Sequence, residues 1–240
     1  MTDPLRIERS AQSWTFTLNR PDKMNALNAP LVEALLQGVV EAHASGARML
    51  VFQGEGRNFS AGFDQGDLDS QSDADLLLRL VRIGTLLHLV ASSPCLTVAL
   101  AHGRNFGAGV DLFAACQHRY SAADASFRMP GLHFGLVLGT RRFGNLVGYA
   151  KAREILERTR QVSATEAAGI GLVTRLVEAD GRAQAVAEAL QVAALFDPTT
   201  QQHLYRVLET EQPDRDLADL VRSASRPGLK SRMLAYMSER

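Results

Sequence analysis

Two short segments carry the residue types for chemistry at a carbonyl: Phe59-Ser60-Ala61-Gly62-Phe63-Asp64 and, about 45 residues on, Gly107-Ala108-Gly109-Val110-Asp111. Each follows an apolar run that reads as a buried strand, and each is small and glycine-rich where a chain must leave a sheet. Two such turns can aim two backbone N–H groups at one oxygen and so form an oxyanion hole. The N–H groups of Phe63 and Ala108 are expected to converge, with Asp111 beside them as acid or base. Ala108 falls at a helix start, where unpaired N–H groups and the helix dipole favour a developing negative charge. Taken singly, the segments are ordinary loop glycines, and Asp111 is a first-turn acid that suits the dipole. Their pairing is what points to chemistry.

The elements that must position these segments follow from periodicity. Residues 5–8 and 13–18 read as strands, the second because Trp14, Phe16 and Leu18 alternate with Thr15 and Thr17. Asn28 is a fair N-cap for a helix with Leu31, Leu35 and Val39 on one face. Residues 49–52 and 95–101 are continuous apolar runs, as expected of strands buried on both faces, and a third strand is expected at 119–121. Helices at 73–90 and 107–115 separate them. Strand and helix in alternation imply right-handed crossovers and a parallel sheet. Ligands in such sheets sit beyond the carboxyl ends of the strands, so both loops open on one edge. Beyond Arg141 the pattern is nearly all helical. Ser163-Ala164-Thr165-Glu166 reads as a capping box, 173–177 as a last strand, and four helices are expected over 185–196, 199–208, 217–223 and 229–237. The fold class is α/β, with a core over residues 1–180 and a helical region over 181–240 that covers the core or a neighbouring subunit.

The chain has 240 residues, enough for one full core, and its 26 basic and 26 acidic side chains cancel. A neutral balance argues against nucleic acid and membrane as partners. Cys95 and Cys116 lie in apolar runs and read as buried free thiols, which fits a reducing, cytoplasmic setting. No Cys/His cluster has metal-ligand spacing, so no metal is expected.

The same residues resemble a known family. Phe59 to Asp64 looks like the first signature of the crotonase superfamily, the enoyl-CoA hydratase/isomerase family. Leu18-Asn19-Arg20-Pro21 with Asn25-Ala26-Leu27-Asn28 is similar to its opening strand and loop, His102-Gly103 through Asp111-Leu112 and Cys116 to its second signature, and Ser163 to Val177 to its later helix and strand. The resemblance implies a crotonase-like (ClpP/crotonase) spiral of ββα units with a C-terminal helical region for trimerisation or as a lid, assembled as a homotrimer or a hexamer. It implies an acyl-CoA substrate whose thioester oxygen is held by the N–H groups of Phe63 and Ala108, and an enolate intermediate. Lys23, Ala26, Leu27, Ala61 and Asp64 map near the bound CoA, and no cofactor is implied beyond the coenzyme A of the substrate.

The sequence departs from the family pattern at the site. Ala108 replaces a glycine but still supplies an N–H. Asp111 is one methylene shorter than the usual Glu. The second acid, expected after Met129-Pro130, is Gly131, and the segment from Gly135 to Thr140 is about three residues short. Hydration by two carboxylates wants one group for water and one for the C2 proton, and one mapped carboxylate remains. The common isomerase base also falls at Gly131, which weakens simple 3-enoyl to 2-enoyl isomerisation. Asp111 in Gly-Val-Asp-Leu resembles the dienoyl-CoA isomerase branch, without that branch's other acids. His133 is a candidate replacement for the missing acid, Asp64 reads better as a loop-holding group than as a proton carrier, and Arg142 reads as structural. The expectation is a hydratase- or isomerase-type enzyme with Asp111 as the principal acid/base. The alternatives are an acyl-CoA decarboxylase or thioester hydrolase on the same scaffold, or a CoA-binding member with little turnover.

Overall fold

The computed structural model describes residues 3–208, 210 and 212–238. The chain opens with β1 (Leu5–Arg9), β2 (Ser13–Leu18), α1 (Ala29–Ala44), β3 (Met49–Gly54), α2 (Asp73–Ala91) and β4 (Leu96–Ala101). It continues through β5 (Arg104–Phe106), α3 (Ala108–Ala115), β6 (His118–Ser121) and β7 (Ser126–Arg128). Then come α4 (Thr140–Val147), α5 (Tyr149–Glu157), β8 (Val162–Ser163), α6 (Ala164–Gly169) and β9 (Arg175–Leu176). The last helices are α7 (Arg182–Ala193), α8 (Pro198–Leu208), α9 (Pro213–Ala224) and α10 (Leu229–Ser238).

Among the described residues the main sheet has six strands in the order β1-β2-β3-β4-β6-β9. β1 runs antiparallel to β2, and every later neighbour is parallel. The continuous apolar character of β3 has a direct reading. Leu50 and Phe52 point into the cluster shared with α1, α2 and α3, whereas Met49 and Val51 point into the opposite cluster with Ala185, Ala189 and Ala193 of α7. A strand covered on both faces has no polar side to show.

The α1 start is as expected, with Asn28 Oδ1 accepting from the Leu31 N–H at 3.1 Å. Three features differ from the sequence reading. The capping box at Ser163 is half formed: its Oγ accepts from the Glu166 N–H at 3.2 Å, but the Glu166 carboxylate turns to Arg160 instead. A two-bond pair with the Arg160 guanidinium outcompetes a single return bond to a backbone N–H. The last strand shortens to Arg175–Leu176. A second sheet, β5-β7-β8, was not expected; its members are two or three residues long and carry no readable period.

The C-terminal helices divide their contacts. α7 closes the outer sheet face. α9 and α10 join Leu76 and Leu80 of α2 and the turn at Phe134 and Leu136 in a third apolar cluster. Asp73, at the start of α2, accepts from the backbone N–H groups of Gly228, Leu229 and Lys230 at 2.8–3.1 Å and so caps α10 across the fold. Cys95 and Cys116 are buried free thiols, pushed up to about 11 and about 12 by burial, so neither is a thiolate nucleophile at neutral pH.

Candidate active site

The parallel pairing of β3 with β4 carries the two glycine-rich loops to one sheet edge. The first loop is held from below by residues 24–28. Asn25 is fully buried; its amide donates to the carbonyls of Glu55 and Asn58 at 2.9 and 2.8 Å, and its Oδ1 accepts from the Arg20 N–H at 2.9 Å. Met24 and Asn25 both take positive φ, 50° and 54°, which an Asn tolerates better than most residues. The Ala61 N–H donates to the Met24 carbonyl at 2.8 Å, and Leu27 brackets Phe63 as a parallel bridge.

That bridge decides the fate of the Phe63 N–H. The Leu27 N–H donates to the Gly62 carbonyl and the Leu27 carbonyl accepts from the Asp64 N–H, at 2.7 and 3.2 Å. The Phe63 N–H therefore faces the other way. Ala108 is the first residue of α3, where an N–H has no acceptor within the helix. Among the described residues, neither the Phe63 nor the Ala108 N–H donates a hydrogen bond within the protein.

The two loops touch at Gly62. Its φ is +80°, and a Cβ placed there would stand 2.2 Å from the Phe106 carbonyl oxygen and 2.9 Å from the Ala108 nitrogen. Only glycine meets both the backbone angle and the close approach. Ser60 and Asn105 pair as a second isolated bridge, which fixes the loops to each other.

Phe63, Ala61 and Ala108 line one cavity of about 380 Å³ with Asp111, Lys23 and Ala26. That volume is in the range of small-molecule sites. Its remaining wall is largely apolar: Leu80, Met129, Phe134, Leu136, Leu138 and Leu156. Asp111 is 4% exposed, and its Oδ1 has no hydrogen-bond partner in the protein. Burial pushes its carboxyl up to about 7, against the opposing pull of the Arg142 guanidinium and the Gly139 backbone. It is the one carboxylate among the described residues lining the cavity.

The remaining expected residues fall in other places. Asp64 is outside the lining. It accepts from Arg20 Nη1 at 2.7 Å and from the Gly66 N–H at 2.9 Å, and these partners, outweighing burial, hold it below the usual carboxylate range. It fixes the loop, as does Arg79, which donates to the Asp64 carbonyl and lies 4.1 Å over the Phe63 ring. The Leu27 side chain is in the core, so only its backbone serves the site. His133 is not brought to the cavity: its exposed ring stacks on Tyr236 at 5.4 Å. Arg141 is tied to Asp216 and Asp219 of α9. Sequence reasoning missed Tyr236, which reaches the cavity from α10, and Gly139, which abuts Asp111 from just before α4. The apolar face of the last helix was the available signal for the first.

Comparison with known proteins gives a consistent answer. The family profile described as enoyl-CoA hydratase/isomerase matches residues 8–218. A probable enoyl-CoA hydratase of Mycobacterium tuberculosis is 35% identical over 209 residues, covering 85% of this chain and 82% of the relative. A probable enoyl-CoA hydratase of Bacillus subtilis is 33% identical over 199 residues, 81% of this chain and 76% of the relative. A solved structure from Bordetella parapertussis, described as a candidate enoyl-CoA hydratase/isomerase, superposes with a TM-score of 0.97 at 54% identity, over 99% of both chains.

Proposed function

The chain belongs to the enoyl-CoA hydratase/isomerase family, and from that membership we propose that it is an acid–base enzyme acting on an enoyl-CoA thioester through an enolate, with Asp111 as the proton carrier. One observation carries this reading: Asp111, the one carboxylate among the described residues of the lining, shares its cavity with Phe63 and Ala108, whose N–H groups have no partner within the protein. A thioester oxygen accepting from both would gain charge as the enolate forms, and fixed backbone donors would meet that charge without reorganisation. A carboxyl titrating near neutrality can both take and return a proton.

A single carboxyl suits double-bond migration best. The proton removed at C2 of a 3-enoyl thioester leaves the dienolate, and the same carboxyl returns it at C4. No atom is gained or lost. Gly131 supplies no second group to activate water for addition at C3. Lys23, Ala26 and Ala61 at the cavity rim are assigned to the CoA portion. Decarboxylation is less well supported, since the cations among the described residues of the lining, Lys23 and Arg104, are both exposed and the inner wall is largely apolar. We also propose assembly as a trimer or hexamer, supported by the exposed apolar side chains Leu195, Phe196, Val207 and Leu208.

The test is product analysis by mass spectrometry with 3-hexenoyl-CoA and 2-hexenoyl-CoA. The expected result is interconversion of the two at unchanged mass. A product heavier by one water would replace isomerisation with hydration. Release of free CoA as the only change would overturn the reading.

A further inference from the structure

Gly139 precedes α4 with φ −97° and ψ 17°, a conformation that residues with side chains also adopt. Backbone freedom therefore does not account for a glycine here. Space does. A Cβ built on Gly139 would stand 2.0 Å from Asp111 Oδ1, 2.6 Å from its Cγ and 3.0 Å from its Cβ, and these are its nearest neighbours. No real Cβ contact is that short. Gly131, at the vacant acid position, behaves differently: an added Cβ would meet nothing nearer than the Leu136 carbonyl oxygen at 3.3 Å. The two glycines flank one cavity, and only the one at 139 is closed to a side chain by the carboxyl itself. α4 also starts without a side-chain cap from its own residue at 139. The Asp111 carboxyl, arriving from α3, occupies the space such a side chain would need.

We propose that Gly139 is a positioning residue, whose missing side chain leaves the pocket that holds the Asp111 carboxyl in the cavity. The catalytic consequence rests on the assignment of Asp111 as proton carrier, and the geometric claim does not. A methyl at 139 would push the carboxyl out of its place while leaving the N–H groups of Phe63 and Ala108 where they are.

The test is a double-mutant cycle of Gly139→Ala and Asp111→Ala, read in melting temperature and in turnover of 3-hexenoyl-CoA. Gly139→Ala should lower the melting temperature by about 5 °C in the parent, as overpacking does, and by less than half of that in the Asp111→Ala background, where the clashing atoms are gone. If Gly139→Ala alone fails to fold, recovery of folded protein in the double variant supports the proposal. In turnover, Gly139→Ala should lower kcat by ~10²-fold with KM within about threefold, and should displace the limb of the kcat–pH profile assigned to Asp111. Equal loss of melting temperature in both backgrounds, a double variant that also fails to fold, or an unchanged kcat would overturn it. A parent inactive on 3-hexenoyl-CoA would instead remove the Asp111 assignment, and the melting-temperature arm would still decide the positioning claim.

Discussion

Asp111→Asn should lower turnover by ~10²- to 10⁴-fold, the size of a general acid–base contribution, while leaving the binding of a non-reactive hexyl-CoA thioether within about threefold. Asparagine keeps the shape of the side chain and removes the transferable proton. The same substitution carries a sign that a merely structural carboxyl would share but that fixes the electrostatics. The folded carboxyl sits near 7 against an ordinary value of 3.8. Between those values the native state holds a proton that the unfolded chain has released. Stability therefore falls as pH rises through that window and levels off above it. Asp111→Asn should abolish this slope and be the more stable protein at pH 8, by a few kcal/mol. Urea melts at pH 5 and pH 8 read this directly. Turnover within a few-fold of the parent would remove Asp111 from the chemistry even if the stability slope were confirmed.

Ala108→Pro should cost ~10²- to 10³-fold in kcat, the usual loss when one oxyanion donor is deleted. Position 108 is the first of α3, where proline's fixed φ fits a helix and its missing N–H breaks no helical bond. The substitution thus removes the proposed donor at little expense to the fold. Because the ring also adds bulk to the cavity wall, Ala108→Gly serves as its partner. Glycine keeps the N–H and should hold kcat within a few-fold. Melting temperatures of the two variants and of the parent check that α3 remains formed. If Ala108→Pro retains kcat, the thioester oxygen is not held there.

Much of this site was legible in the sequence because its backbone is written in short-range signals. The apolar runs of β3 and β4 have no polar alternation, and the structure buries both faces, so the parallel core and the common edge of the two loops follow. Gly62 and Ala108 are legible as small residues in the loop segments that follow the buried strands β3 and β4. What failed was whatever depends on where a side chain turns. His133 lies two residues from the vacant acid position, yet the helical turn at 131–134 sends its ring to Tyr236. Glu166 has the spacing of a capping box, but Arg160 competes for it. Gly139 and Asp111 are 28 residues apart, and only the packing of α4 on α3 reveals why the first must be a glycine. The second sheet was illegible because strands of two or three residues carry no period, and their pairing is set by the loops that bring them together.

The central claim is that this cavity makes an enolate of a bound thioester with Asp111 moving the proton. Proton exchange at C2 of the saturated substrate hexanoyl-CoA in D₂O tests it without requiring any particular overall reaction. The account predicts deuterium at C2, read by NMR of the recovered thioester, at a rate that falls with Asp111→Asn and with Ala108→Pro while binding persists. Hexanoyl-CoA that binds the parent protein at saturation and yet keeps both C2 protons would contradict it.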